Sequence, residues 1–318
     1  MKSKEILYLV IPCYNEEAVL YETARQLKEK ILTMVSQGII SEKSRIMFVN
    51  DGSKDSTWDI IQELHEQDKI FSGVTLSRNR GHQNALLAGL MTAKKYADMV
   101  ISLDADLQDD IHAIDKFVEK YYEGYDVVYG VRNKRETDTF FKRNTALAFY
   151  KFQAFMGVDA VYNHADYRLM SKRALEGLEE FKEVNLFLRG IVPLIGYKYT
   201  TVGYDRNERF AGESKYPLKK MLAFAFDGIT SFSVKPIRFV TMTGFMIFIG
   251  SILVILYSLI RNFLGFTVSG WTFLACSIWV LGGIQLLGLG IIGEYIGKIY
   301  SETKERPRFI IADVINEE

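Results

Sequence analysis

From residue 5 to about residue 135 the sequence switches repeatedly between two periodicities, and few folds accommodate that. Short apolar runs at 5–11, 45–50, 73–76, 99–103 and 126–130 read as strands, and amphipathic stretches at 18–35, 57–65 and 83–96 lie between the first four. Strands that alternate with helices in this way form a mainly parallel sheet with helices on both faces. Ligands of such a sheet bind at the carboxyl ends of its strands. The polar motifs fall at those ends: Pro12-Cys13-Tyr14-Asn15-Glu16 after the first strand, Asn50-Asp51-Gly52-Ser53 after the second, Arg78-Asn79-Arg80-Gly81 after the third and Asp104-Ala105-Asp106 after the fourth. Four strand ends that all carry polar motifs constrain the reading more than any one motif does.

Residues 100–110 are the densest of these. A buried-strand pattern runs directly into Asp104 and Asp106, two carboxylates one residue apart, which converge on one point only where the strand breaks into a loop. Together with Gln108 they offer oxygen donors suited to Mg2+ or Mn2+, a hard ion that keeps positions open for water and substrate phosphates. The same loop also reads as an acidic cap for a helix starting near Ile111, since Asp109 and Asp110 suit a helix N-terminus. Other motifs have equally plain readings. Residues 50–53 make a good turn with Ser56 capping the next helix, Glu16 is a first-turn acid, and Arg78 and Arg80 are surface charges. His65, His82, His112 and His164 are scattered without ligand spacing. No Walker or dinucleotide glycine loop is present, which disfavours an ATPase or a nicotinamide enzyme.

Composition narrows the class further. The 318 residues are 48% hydrophobic, ample for a core, and the charges balance at 39 against 39, so nucleic acid is not an expected partner. Cys13 sits in an early strand and Cys276 in a long apolar run, which suits a reducing compartment better than a disulfide. The apolar run after Lys2 and Lys4 ends at Asn15-Glu16-Glu17, too soon for a signal peptide. The last third differs in kind. Residues 239–260 and 262–293 carry no charge, and at 1.5 Å per residue each is long enough for a hydrocarbon core of roughly 30 Å. The sequence therefore predicts two transmembrane helices near 237–260 and 271–295. Lys235 and Arg238 before them, and Lys298, Lys304, Arg306 and Arg308 after them, predict a two-span cell-membrane protein with both termini and the catalytic domain cytoplasmic.

Two further stretches, 139–158 and 217–232, mix aromatic and aliphatic residues with lysine or arginine and read either as interfacial helices or as ordinary core-facing ones. The expected division is an α/β domain at 1–213, a juxtamembrane amphipathic segment at 214–235, a two-helix transmembrane domain at 236–296 and a cytoplasmic tail at 297–318. The segment after Arg306 gives no readable role.

In order, Pro12-x-Tyr14-Asn15-Glu16, Asn50-Asp51-Gly52-Ser53, Arg78-Asn79-x-Gly81, Asp104-Ala105-Asp106-Leu107-Gln108, Asp166-Tyr167-Arg168-Leu169 and Arg209-Phe210-Ala211-Gly212-Glu213-Ser214-Lys215-Tyr216 make up a set. As a set they resemble the inverting glycosyltransferases of family 2, and more narrowly the polyprenyl-phosphate glycosyltransferases related to dolichol-phosphate mannose synthase and bactoprenol glucosyltransferases. Asn50 stands where many relatives carry Asp, and Ala165 where Gly often precedes the Asp-aromatic-Arg triplet. The resemblance implies an α/β GT-A fold and a metal-dependent hexosyltransferase using Mg2+ or Mn2+. It implies that Pro12, Tyr14, Glu16, Val49 and Asp51 hold the base and ribose of a nucleotide sugar, a UDP-sugar being the expected donor. Asp104, Ala105, Asp106 and Arg132 would lie along its diphosphate, with Asp104, Asp106 and Gln108 around the metal. Arg143, Arg209 and Lys215 would gather the acceptor phosphate, and Asp106, Asp166 and Arg209 would be the catalytic residues.

The expected reaction is inverting transfer of a sugar to undecaprenyl or a similar polyprenyl phosphate at the cytoplasmic membrane face, by a homo-oligomeric enzyme. A phosphate acceptor is already anionic and needs no protein base, so Asp166 is expected to orient Arg168 or a sugar hydroxyl, with base catalysis as the alternative. A processive polysaccharide synthase and a silent nucleotide-sugar-binding scaffold are the competing readings. The first lacks a Gln-x-x-Arg-Trp sequence, and the intact acidic residues speak against the second.

Overall fold

The computed structural model describes residues 4–133, 164–184, 186–205, 235–264 and 271–316. The chain divides into two units. One comprises Met1–Tyr150, Asp159–Pro217 and Arg306–Glu318, and the other Lys151–Val158 and Leu218–Glu305.

The first unit is built on one eight-stranded sheet. Its strands are β1 (Leu7–Cys13), β2 (Arg45–Asn50), β3 (Phe71–Leu76), β4 (Met99–Ser102), β5 (Val127–Arg132), β6 (His164–Ser171), β7 (Tyr199–Tyr204) and β8 (Ile311–Ile315). The spatial order is β7-β5-β6-β4-β1-β2-β3-β8. The pairs β4-β1, β1-β2, β2-β3 and β5-β7 are parallel, whereas β6 runs antiparallel to both β4 and β5, and β8 antiparallel to β3. Among the described residues the helices of this unit are α1 (Leu20–Ser36), α2 (Thr57–Gln67), α3 (His82–Ala93), α4 (Ala113–Tyr122), α5 (Lys172–Glu179) and α6 (Leu188–Leu194).

Sequence explains most of these elements. In α1 the buried residues Leu20, Thr23, Ala24, Leu27, Ile31 and Met34 recur every three or four positions and lay one stripe on the sheet. Every residue of β3, and all of β2 beyond Arg45, is buried, as expected for strands covered on both faces. Helix α3 lies especially close. A Cβ on Gly89 would sit 2.5 Å from methyls of Val10 and Val49, so only glycine permits that spacing. Strand β1 continues through Pro12, which stays in register with Val49 of β2. Its pairing with β4 ends at Val10–Ser102, so the donor that proline lacks faces no ladder on that side.

Insertion of β6 between β4 and β5 is the topological feature that shapes the site. Because Ser102 pairs with Arg168 in antiparallel register, the start of β6 lies beyond the carboxyl end of β4. Asp166 is thereby brought to the same rim as Asp104 and Asp106.

The second unit contains α7 (Lys235–Phe263) and α8 (Trp271–Thr303), which contact each other where Gly288 faces Val240. Helices therefore occupy the regions expected to span a membrane, but the expectation itself is corrected. Among the described residues no helix is long and apolar enough to cross one. The longest unbroken described part of α8, from Leu281 onward, is diluted by Gln285, Glu294 and Lys298 and by Gly282, Gly283, Gly288, Gly290, Gly293 and Gly297. Helix α7 opens on Lys235 and Arg238, and its Thr241 and Thr243 hydroxyls bond back to the carbonyls of Ile237 and Phe239. With the spans go the two-span cell-membrane location and transfer at a membrane face. The stretches 139–158 and 217–232 lie outside the described residues.

Candidate active site

Three loops interlock at the rim formed by β1, β2 and β3. The main-chain N–H of Asn15, whose φ is 53°, donates to the Ser53 hydroxyl, its side-chain oxygen accepts from the N–H of Lys54, and Glu16 N–H donates to the Thr57 hydroxyl. Asn50 donates to the Thr75 hydroxyl and accepts from Ser53 N–H, so one side chain ties β2 to β3 and closes its own turn. Gly52 has a φ of 61°, and a Cβ there would lie 2.6 Å from main-chain atoms of Arg78 and Asn79. Any side chain at this position would push the two loops apart. Asp51 completes the link. Its buried carboxylate accepts from the main-chain N–H groups of Arg80 at 2.7 Å and Gly81 at 2.9 Å. Burial raises its pKa, and those two donors work against the rise.

The residues expected to hold a base and ribose converge on this corner, though not all by their side chains. Tyr14 is exposed, Glu16 and Pro12 are half-buried, and Asp51 faces the Arg80-Gly81 loop. Val49 is fully buried, its side chain against α3 and its main chain between β1 and β3, so it supports this corner from beneath. Ala105 is also buried, and its carbonyl accepts from the Thr23 hydroxyl of α1 at 2.8 Å.

At the end of β4 the chain turns through Leu107, whose φ of 54° is unusual for a branched side chain. Asp106 accepts from the N–H of Gln108 and holds that turn. Asp104 lies beside it, and His82 Nε2 stands 3.8 Å from both Asp104 Oδ1 and Asp166 Oδ2. Burial pushes the Asp104 carboxyl up, and the nearby Asp166 and Asp106 add to this against His82 and Arg132. Excess negative charge with oxygen donors fits a hard divalent cation. Among the described residues no group of three or more His, Cys, Asp or Glu side chains is arranged to hold a metal by itself. Asp104 and Asp106 would leave such an ion open positions for water and phosphate oxygens.

Asp166 is locked in place. Arg189 grips it with two bonds, Nε to Oδ1 at 3.2 Å and Nη2 to Oδ2 at 3.0 Å, while the buried Arg168 donates to Oδ1 at 2.9 Å. Burial alone would raise its pKa, but Arg189 and Arg168 outweigh that and hold it well below the ordinary carboxylate range. Arg189 is carried by α6, whose first N–H donates to the Gln83 side chain at the start of α3.

A second cluster supports Arg132 at the end of β5. Tyr204, in register with Arg132, donates its hydroxyl to the buried Asp109 at 2.7 Å and accepts from Arg132 Nε at 3.3 Å. Burial, with help from Asp104, raises Asp109 to about 6. The Tyr204→Phe substitution removes the donor that favours the ionised Asp109. Stability is expected to fall by about 1.5 kcal/mol at neutral pH, the scale of a hydrogen bond to a charged group. The bond acts on the folded, ionised carboxylate, so the loss should shrink as pH falls through about 6, below which folded Asp109 is protonated with or without Tyr204. Denaturant unfolding at two pH values measures this, and an equal loss at both would disprove the role given to the Asp109 charge.

Arg143, Arg209 and Lys215, expected at the acceptor phosphate, lie outside the described residues. His82, Arg189, Tyr204 and Asp109 were not expected at the site. His82 and Arg189 reach it only through tertiary packing, and no spacing in the sequence announces them.

The model of the glycosyl transferase family 2 matches residues 8–178. An uncharacterized glycosyltransferase of Bacillus subtilis, YkoT, is 56% identical over 100% of this chain and 94% of its own length. The prophage bactoprenol glucosyl transferase homolog of Escherichia coli is 40% identical over 96% of this chain and 98% of its own. The bactoprenol glucosyl transferase of Shigella phage SfV is 40% identical over 95% and 97%. This chain belongs to glycosyl transferase family 2. It is a glycosyltransferase on an α/β framework. Among solved structures, mannosyl-3-phosphoglycerate synthase from Rubrobacter xylanophilus covers 70% of this chain and 71% of its own at 13% identity, with a TM-score of 0.46, a likeness too distant to carry an argument.

Proposed function

We propose that this glycosyltransferase moves a sugar from a nucleoside-diphosphate donor to the phosphate of a polyprenyl phosphate. One observation carries the reading. Asp166, on the same rim as Asp104, is gripped by Arg189 and Arg168, which hold its pKa well below the ordinary carboxylate range and make it a poor proton acceptor. Such a site suits an acceptor that arrives already anionic. Relatives along nearly the whole chain are named for glucosyl transfer to bactoprenol, which points to the same acceptor class.

On this reading the corner around Tyr14, Glu16 and Asp51 takes the nucleoside, and Asp104, Asp106 and Gln108 face its diphosphate. A divalent cation, Mn2+ or Mg2+, is the cofactor this donor set suits, and it would neutralise charge on the departing diphosphate. Arg132, held by Tyr204 and Asp109, adds positive charge beside the same group. Arg209, with Arg143 and Lys215, takes the acceptor phosphate, where arginine's planar fork matches phosphate oxygens. Attack on the anomeric carbon opposite the leaving group then proceeds with inversion, and the protein's work is to align two anions and offset their repulsion.

The test is single-turnover transfer in detergent to polyprenyl phosphate beside the matched free polyprenol. Arg209→Ala should slow transfer by about 30- to 1,000-fold, and Arg209→Lys should recover part of it. Asp166→Asn should keep measurable activity. Efficient glycosylation of the alcohol, abolished by Asp166→Asn and indifferent to Arg209→Ala, would overturn the phosphate acceptor.

A further inference from the structure

The segment 307–316 follows the second unit in sequence but is part of the first. It forms the outer edge of the sheet beside β3, next to the corner at Asp51. Strand β8 pairs with β3 from Leu76–Ile311 to Gly73–Ile315, and Ser77 N–H extends the ladder to the Ile310 carbonyl at 2.9 Å. Two arginines fasten the approach to that strand. Arg308 donates to the carbonyl of Phe181 just past α5, and Arg80 donates through Nη2 to the carbonyl of Pro307 at 2.7 Å. Beyond β8, the Tyr8 hydroxyl meets the Asn316 side chain at 3.5 Å.

Arg80 is therefore held at both ends. Its main-chain N–H and that of Gly81 satisfy the two carboxylate oxygens of Asp51, while its guanidinium is fixed by the C-terminal segment. Asp51 is buried, so a shift of the 78–81 loop would strand a desolvated carboxylate. Gly52 leaves no slack, because even a Cβ there would lie 2.6 Å from the main chain of Arg78 and Asn79. We propose that the segment 307–316 belongs to the support of the nucleotide site, with Arg80 as the positioning residue through which it acts on Asp51. This deepens the proposed function and rests on its placement of the nucleoside at the Asp51 corner. Ile315 is the far anchor of the same segment, packed where Gly73 leaves room.

The experiment measures calorimetric binding of UDP and of GDP, each with Mn2+, to the full chain and to Arg80→Ala, Arg80→Lys, Ile315→Asp and the Arg80→Ala/Ile315→Asp double variant. Arg80→Ala should weaken the bound nucleotide by about tenfold, the effect of one charge-assisted hydrogen bond, and Arg80→Lys should restore part of it. In transfer assays the donor KM should rise while kcat at saturating donor holds. Ile315→Asp should weaken binding too, and the double variant should be no worse than the poorer single one, since both act through one path. Unchanged affinity in Arg80→Ala, or losses that multiply in the double variant, would overturn the proposal alone. Failure of the unaltered protein to bind either nucleotide would overturn the functional reading on which it rests.

Discussion

Asp106→Asn is expected to lower turnover by about a hundredfold or more while leaving the fold intact. The substitution is chosen because it separates charge from geometry. Asp106 holds the turn at Leu107 by accepting from Gln108 N–H, and an asparagine oxygen can accept the same bond. What disappears is one of the two negative charges that the proposed function sets against the donor diphosphate and its cation. Binding of Mn2+ should weaken in step with activity, and thermal unfolding without metal should barely move. Near-normal turnover under limiting Mn2+ would sink the assignment of this loop.

Arg168→Met is expected to act on stability. Arg168 is 2% exposed, and its charge is tolerated because Asp166 lies 2.9 Å away. Removing one partner of a buried pair costs about 3–5 kcal/mol, and the lower end applies because Asp166 keeps Arg189. Methionine roughly fills the volume, so a cavity adds little. The depressed Asp166 pKa gives the sign of the pH dependence. Its contribution is present above the ordinary carboxylate range and is lost as pH falls through and below it, so the wild-type advantage over Arg168→Met should narrow in acid. Urea unfolding at neutral and at acidic pH would show this, and a variant as stable as wild type at neutral pH would mean that the pair contributes nothing to the fold.

These residues also show where sequence reading stops. Strand β2 was legible to the residue because 45–50 is an apolar run closed by a turn motif, and α1 and α2 were legible from their spacing. Strand β6 was not, because Asp166 and Arg168 interrupt its apolar pattern, and only their pairing makes such a strand affordable inside a sheet. Strand β8 is short and divided by Asp313, so nothing marks it before β3 offers an edge. His82 shows the same limit at the site. It looked isolated in sequence and stands between Asp104 and Asp166 in space. The acidic loop after β4 was readable because its two acids stand one residue apart in the chain, whereas Arg189 and Tyr204 join the rim from far along it.

The distance in sequence between β3 and β8 also has a bearing on how the protein is made. Gly73 waits for Ile315 before the sheet is complete, and both α7 and α8 are synthesised in that interval. On the ribosome β3 presents an unpaired outer edge for most of translation, the kind of edge that invites pairing with other chains. Premature termination anywhere after β3 and before residue 311 would release a chain whose sheet has not closed. A quality-control system that recognises open strand edges would have a means of telling unfinished copies from finished ones.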